Sequence, residues 1–154
     1  MHEEDHPEPE PAGLSELTKL AKLFERGPAA LLTGAGISTD SGIPDYRGKG
    51  TPVRTPMSID QFTNDAHYRR RFWAGARVGA LGLSDVQPNL GHRAVATLEH
   101  EGRLSGVITQ NVDGLHGRAG TANLAELHGN GAIIRCVPKG HRFSRAEVLA
   151  WFDV

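Results

Sequence analysis

The sequence is poor in the features that mark secreted or membrane proteins. One cysteine, Cys136, stands among 154 residues, so no intrachain disulfide can form and the expected compartment is the cytoplasm. No apolar run approaches the ~20 residues that cross a bilayer, so no membrane association is expected. The N-terminus has no basic patch. Residues 1–11 carry Glu3, Glu4, Asp5, Glu8 and Glu10 and no Lys or Arg, which argues against a secretory signal or transit peptide and reads as a disordered acidic tail. A dominant charge is also missing. The net charge is -1, and setting the tail aside leaves 17 basic against 13 acidic residues, a mild excess of +4. That suits a small anionic ligand and does not point to nucleic acid. What is present, 38% hydrophobic and 23% charged residues, is ordinary globular composition, enough for one core.

The organising stretch is Leu31-Leu32-Thr33-Gly34-Ala35-Gly36-Ile37-Ser38. An apolar run, a Gly-x-Gly turn and small hydroxylated residues spell a strand, a loop able to cradle phosphate, and a helix N-terminus whose free N–H groups face that loop. The same letters also fit a ligand-free turn, because Thr39 stands where the full Gly-x-Gly-x-x-Gly fingerprint has its third glycine. Upstream, Leu14, Leu17, Ala21 and Phe24 recur at helical spacing and predict an amphipathic helix ending near Gly27-Pro28. Ala29–Thr33 is expected to be a strand buried on both faces. Residues 43–52 read as a loop carrying Asp45, Tyr46 and Arg47 together, either a lid over a site or a solvated linker.

Ser58–Leu83 predicts two or more helices, a small helical insertion. Its run of Arg69, Arg70, Arg71 and Arg77 is more often a solvated face than an acid-binding one. Pro88 sits where a helix starts, Leu90, Ala94 and Leu98 give it an apolar face, and Gly102 caps it. Leu104–Thr109 is a second buried strand. Helix then strand, twice, predicts a parallel α/β sheet. Gln110, Asn111 and Asp113 follow that second strand, where α/β sheets bind ligands and where Asn and Asp also simply cap helices. A short strand at Leu124–Glu126 leads to His128-Gly129, where the histidine is either a general base or a structural residue. Ala132–Cys136 is β-like, and Ser144–Phe152 predicts a terminal helix.

Taken together, Gly34-Ala35-Gly36-Ile37-Ser38 with Ser41-Gly42-Ile43-Pro44-Asp45-Tyr46-Arg47, Thr109 to His116, and Glu126-Leu127-His128-Gly129 resemble the sirtuins in order and separation. The resemblance runs from about Leu14 to Arg142, and Arg71-Phe72-Trp73-Ala74 looks most like the class that includes human sirtuin 4. It implies an incomplete Rossmann-like parallel sheet with a helical insertion and a partial, degenerate zinc-ribbon module. The domains expected are a tail at 1–11, the first part of the Rossmann-like domain at 12–135 with its insertion at 58–83, and the partial small module at 136–154. The implied function is NAD-dependent protein acyl-lysine deacylation, releasing nicotinamide and acyl-ADP-ribose. The implied cofactor is NAD, and the implied partner is an acyl-lysine protein. By the same resemblance Gly34, Ala35 and Gly36 cradle phosphate, and Asp45, Tyr46 and Arg47 belong to the cofactor loop. Gln110 contacts the nicotinamide ribose, Ile43, Asn111 and Asp113 line the nicotinamide pocket, and His128 is the catalytic base, with Asn111 and Asp113 counted beside it as catalytic.

Two departures accompany the resemblance. Sirtuins usually place a Cys-x-x-Cys after this last motif and a second pair later. Here Lys139 stands where the second thiolate belongs and no later cysteine follows, so Cys136 and His141 supply two ligands at most and little or no zinc is expected. The chain also stops at Val154, before the strands that hold the adenosine half. The expectation is a C-terminally truncated form that self-associates or lacks a partner segment. The alternatives are an inactive NAD-binding remnant and a mono-ADP-ribosyltransferase. An ordinary Rossmann dehydrogenase fits poorly, because the chain about 20 residues beyond the glycine loop is proline-rich rather than a strand ending in an acid.

Overall fold

The computed structural model describes residues 13–45, 57–83 and 86–152. The acidic tail, Tyr46 and Arg47 lie outside the described residues.

Helix α1 spans Leu14–Phe24. Strand β1, Ala29–Thr33, leads into a 3-10 helix over Ala35–Ser41. Helices α2 (Ile59–Asn64) and α3 (Ala66–Leu83) form the insertion. Helix α4 (Leu90–His100), β2 (Leu104–Thr109), α5 (Leu115–Ala119) and β3 (Leu124–Glu126) follow. The chain closes with β4 (Ile133–Arg135), β5 (Arg142–Ser144) and α6 (Arg145–Ala150).

Strands β1, β2 and β3 pair in that order, both ladders parallel, with Thr33 opposite Thr109 and Thr109 opposite Glu126. All three carboxyl ends therefore lie on one sheet edge. Behind the sheet, Val95, Leu104 and Val107 form a buried cluster, against which Phe24, Leu31, Ile37, Leu98 and Leu124 pack.

The two-sided burial expected of the strands is not found. Burial alternates along β1 and β2, and Leu32 and Ile108, paired across the ladder, are 61% and 37% exposed. The apolar runs are continuous because both faces carry aliphatic side chains, but among the described residues α4 and α5 cover only one of them.

Helix α4 differs from its expected form in two ways. Pro88 precedes the helix, and Asn89 is its N-cap, its side chain accepting from the His92 N–H. The inward residues are His92 and Val95, while Leu90 is 84% exposed. Of the expected face Leu98 packs on the core while Leu90 and Ala94 are exposed, so the buried stripe is centred on His92 and Val95. At the other end Gly102, at φ +72°, takes the left-handed turn that lets Arg103 N–H reach the Leu98 carbonyl.

The arginine run of α3 is divided in role. Arg69 is half-buried and donates through Nη1 to the carbonyls of Phe62 and Thr63, at 3.1 and 2.8 Å, closing the C-terminus of α2. Arg70 and Arg71 are exposed, as a solvated face would be. Strands β4 and β5 pair as an antiparallel hairpin with Ile133 opposite Ser144. Helix α6 follows it, opened by a reciprocal Ser144–Glu147 capping box, and Phe143 meets Trp151 edge to face at 5.1 Å.

Candidate functional site

Three loops leave the carboxyl edge of the sheet, and hydrogen bonds join them. The first is the glycine loop after β1. Gly34 is extended and Gly36 lies in the 3-10 helix, so neither needs glycine's left-handed freedom. Among the described residues, a Cβ placed on either would meet no atom within 4 Å beyond its own neighbours in the chain. With conformation and internal crowding both excluded, these glycines leave open space beside the backbone, as a cradle for a bulky anion requires. Gly42 is different: at φ +88° it ends the 3-10 helix, its N–H reaching the Ser38 and Thr39 carbonyls. Ile43 and Asp45 follow, both half-buried.

The second loop follows β2. Gln110 is exposed and held by its backbone N–H on the Thr33 carbonyl at 3.1 Å. Asn111 points back to the first loop, where Nδ2 donates to the Gly34 carbonyl at 3.0 Å and to Ser38 Oγ at 3.1 Å. Both amide hydrogens are thereby used, and the orientation of the amide is fixed by its partners. Asp113 accepts from Ser38 Oγ at 2.7 Å through Oδ2 and from the Leu115 N–H at 2.9 Å through Oδ1. It thus satisfies the first amide of α5, as a capping residue does, and bridges to the glycine loop.

The third loop follows β3 and carries His128, exposed, two residues beyond the strand. It is anchored to the second loop. Gly131 N–H donates to the Val112 carbonyl at 2.6 Å, and a Cβ at Gly131 would stand 2.9 Å from that oxygen, so only glycine fits. Asn130 Nδ2 donates to Glu126 Oε1 at 2.8 Å and closes the turn around His128. Ala35, Gly36, Gln110, Asn111, Asp113 and His128 thus share one edge.

Beneath the loops lies a polar layer to which the sequence pattern assigned no role. Thr33 Oγ1 donates to Thr109 Oγ1 at 2.9 Å and lies 2.9 Å from His116 Nε2, and Thr109 Oγ1 accepts the Asn111 N–H at 3.1 Å. His92 and His116, 0% and 1% exposed, meet edge to face at 4.9 Å. Burial pushes both imidazoles below their usual pKa. The Asp113 carboxylate opposes this in each, while His92 adds to it for His116. A polar residue turned inward on a helix that also carries Leu90, Ala94 and Leu98 was the one signal available in the sequence.

The hairpin does not fit the zinc site of the resemblance. Cys136 is half-buried in a tight turn, its N–H on the His141 carbonyl and its own carbonyl accepting from Gly140 N–H, both at 2.8 Å. Among the described residues, no three His, Cys, Asp or Glu side chains are grouped to hold a metal ion.

A parallel sheet with a glycine loop and amide-rich loops at its carboxyl edge defines a Rossmann-like α/β protein, a class in which ligands bind at that edge. Comparison with known families narrows this. The model of the Sir2 family matches residues 34–151, and the chain belongs to that family. It is 50% identical over 136 residues to NAD-dependent protein deacetylase 1 of Mycobacterium avium (strain 104), covering 88% of this chain and 48% of the relative. It is 42% identical over 130 residues to NAD-dependent protein deacylase Sirt4 of Drosophila melanogaster, covering 81% and 42%. A solved structure described as "Sir2-p53 peptide-NAD+" superposes with a TM-score of 0.78 at 36% identity, covering 89% of this chain and 55% of that one. The chain spans about half the length of the relatives it matches.

Proposed function

We propose that this chain carries the nicotinamide-side half of an NAD-dependent protein acyl-lysine deacylase. The observation that carries this reading is the pair of bonds from Asn111 Nδ2 to Gly34 and Ser38. They join a glycine loop with free space beside it to the amides and carboxylate after β2.

In this reading the backbone around Gly34, Ala35 and Gly36 holds the phosphates, and Gln110 hydrogen-bonds the nicotinamide ribose. Asn111, Asp113 and Ile43 surround the nicotinamide, and Asp45, Tyr46 and Arg47 complete the cofactor loop. Bound NAD would supply a ribose carbon from which nicotinamide departs when an acyl-lysine oxygen attacks. The chain's own part is to orient and to move protons. Asp113, fixed by Ser38 and Leu115, presents a held acceptor to a carboxamide. The imidazole of His128 takes a proton from a ribose hydroxyl at a free ring nitrogen, which general-base catalysis makes worth ~10²–10⁴ in rate. Its exposed position leaves it room to meet a substrate. The relatives named above as deacetylase and deacylase, and the peptide and NAD in the superposed structure, support this reading. With one cysteine in the sequence and no described helix long and apolar enough to cross a membrane, we also infer a cytoplasmic location, which imaging of a fluorescent fusion tests.

The decisive experiment incubates the purified chain with NAD and an acetyl-lysine peptide and assays free nicotinamide. Stoichiometric release with acyl-ADP-ribose supports deacylation. ADP-ribose on a protein target supports the transferase alternative, and NAD binding without release reduces the chain to a binding module.

A further inference from the structure

Two buried histidines under the site have no part in the function just described, and the hydrogen-bond directions around one of them are fully determined. Asn89 Nδ2 donates to the Ile37 carbonyl at 2.7 Å, and its Oδ1 accepts the His92 N–H at 3.2 Å. The amide orientation is thereby set, and the atom facing His92 Nδ1 at 3.0 Å is an oxygen. Nδ1 therefore carries the proton of the neutral ring, and Nε2 is a bare lone pair.

That lone pair faces Ser38 Oγ at 3.5 Å, longer than a formed hydrogen bond. The reason lies on the other side of Ser38. Its one hydroxyl proton goes to Asp113 Oδ2 at 2.7 Å, and one lone pair is taken by Asn111 Nδ2 at 3.1 Å. What Ser38 offers His92 is its remaining lone pair. Lone pair opposes lone pair until His92 gains a second proton. Then Nδ1–H and Nε2–H both meet acceptors, and a continuous chain runs from His92 through Ser38 to the Asp113 carboxylate. The groups that act on His92 from the elements packed around it are the His116 ring at 4.9 Å and Asp113. Asp113 favours a proton on His92, and a charge on His92 in turn disfavours one on His116.

We propose that His92 is a proton-sensitive positioning residue which, through Ser38, sets how strongly Asp113 accepts hydrogen bonds from a bound ligand. With His92 neutral, Asp113 keeps its full negative charge toward the site. With His92 protonated, Ser38 is polarised toward Asp113, the carboxylate is partly neutralised, and positive charge is added beside the position of a cationic nicotinamide ring. Burial keeps the neutral form in place at and above neutral pH. The consequence for ligand affinity rests on the nucleotide reading above, whereas the relay itself does not.

The test uses the full chain labelled with 15N-histidine and 13C-aspartate, titrated from pH 8 to pH 5 by NMR. The expected result is a neutral His92 in the Nδ1–H form at pH 8, with the Asp113 carboxylate resonance moving in step as His92 takes up its second proton. In Ser38→Ala that coupled movement is expected to be lost. A neutral Nε2–H form, an Asp113 resonance indifferent to His92 in the native chain, or undiminished coupling in Ser38→Ala overturns the proposal. In a second arm, calorimetry is expected to show NAD bound roughly three- to tenfold more weakly at pH 5.5 than at pH 7.5, and this dependence is expected to flatten in His92→Gln. A pH dependence that survives intact in folded His92→Gln refutes the role in affinity. Should the glutamine variant fail to fold, the native-chain spectra still decide. Absence of NAD binding at every pH refutes the nucleotide reading, while the NMR titration still tests the relay by itself.

Discussion

Asn111 Nδ2 lies 3.0 Å from the carbonyl oxygen of Gly34, 77 residues earlier in the chain. This bond and its companion to Ser38 make the glycine loop and the loop after β2 one structural unit. Asn111→Ala removes both, leaving the Gly34 carbonyl with the Ile37 N–H alone and Ser38 Oγ with its bond to Asp113 alone, a loss of about 1–3 kcal/mol for the two bonds. Urea unfolding is expected to show a lowered midpoint, and calorimetry a loss of NAD binding. A variant that binds NAD as the native chain does would remove the loop-joining bond from the account of the site.

His128 makes the opposite case. It is exposed on its turn, so His128→Ala is expected to change stability by no more than about 0.5 kcal/mol. If it is the base, the variant still binds NAD while deacylated peptide falls by ~10²–10⁴. Native-like turnover in the nicotinamide assay would rule His128 out of that role.

The buried histidines give stability a pH dependence of definite sign. Both have pKa values lowered from 6.5, chiefly by burial. The unfolded chain therefore binds more protons than the folded one below pH 6.5. The stabilisation is complete above 6.5 and is lost as the pH falls from there through the folded-state values. Urea midpoints measured from pH 8 to 5 are expected to hold steady and then fall below about 6.5. A midpoint that rises on acidification contradicts the sign.

The two faces of the sheet are energetically unequal. Leu115, 1% exposed, supports the covered side, and Leu32, 61% exposed, stands on the open one. Leu115→Ala is expected to cost about 2–5 kcal/mol, and Leu32→Ala no more than about 0.5 kcal/mol. Equal effects in chemical denaturation would mean that something covers the outer face in solution.

The β4–β5 hairpin is held by its ladder, the Cys136–His141 backbone bond and the Phe143–Trp151 contact. Its stability is expected not to depend on zinc. Adding EDTA should leave the thermal midpoint unchanged, and elemental analysis should find less than one zinc per chain. A chelator-induced drop in the midpoint would overturn this.

How much of this was legible in the sequence varies with the range of the interaction. The strands at Ala29–Thr33 and Leu104–Thr109, the helical insertion and the glycine loop follow from local patterns, because hydrophobic period and breakers act over a few residues. The parallel edge followed from the alternation of helix and strand. Local pattern did not reveal which face each element buries. The apolar letters of α1 predicted its helix, yet Leu17 and Leu23 are about half exposed, and on α4 the buried residue is His92 rather than Leu90.

The sequence by itself determined the family, the order of elements and the residues that reach the sheet edge, since motif chemistry and spacing are written along the chain. Only the tertiary structure decided how those residues are tied together. The Ser38–Asp113, Asn111–Gly34 and Thr33–His116 bonds join positions 75 or more residues apart. The direction in which each bond donates depends on every neighbour at once. A buried polar network is satisfied or left short as a whole, and no local pattern in the chain carries that information.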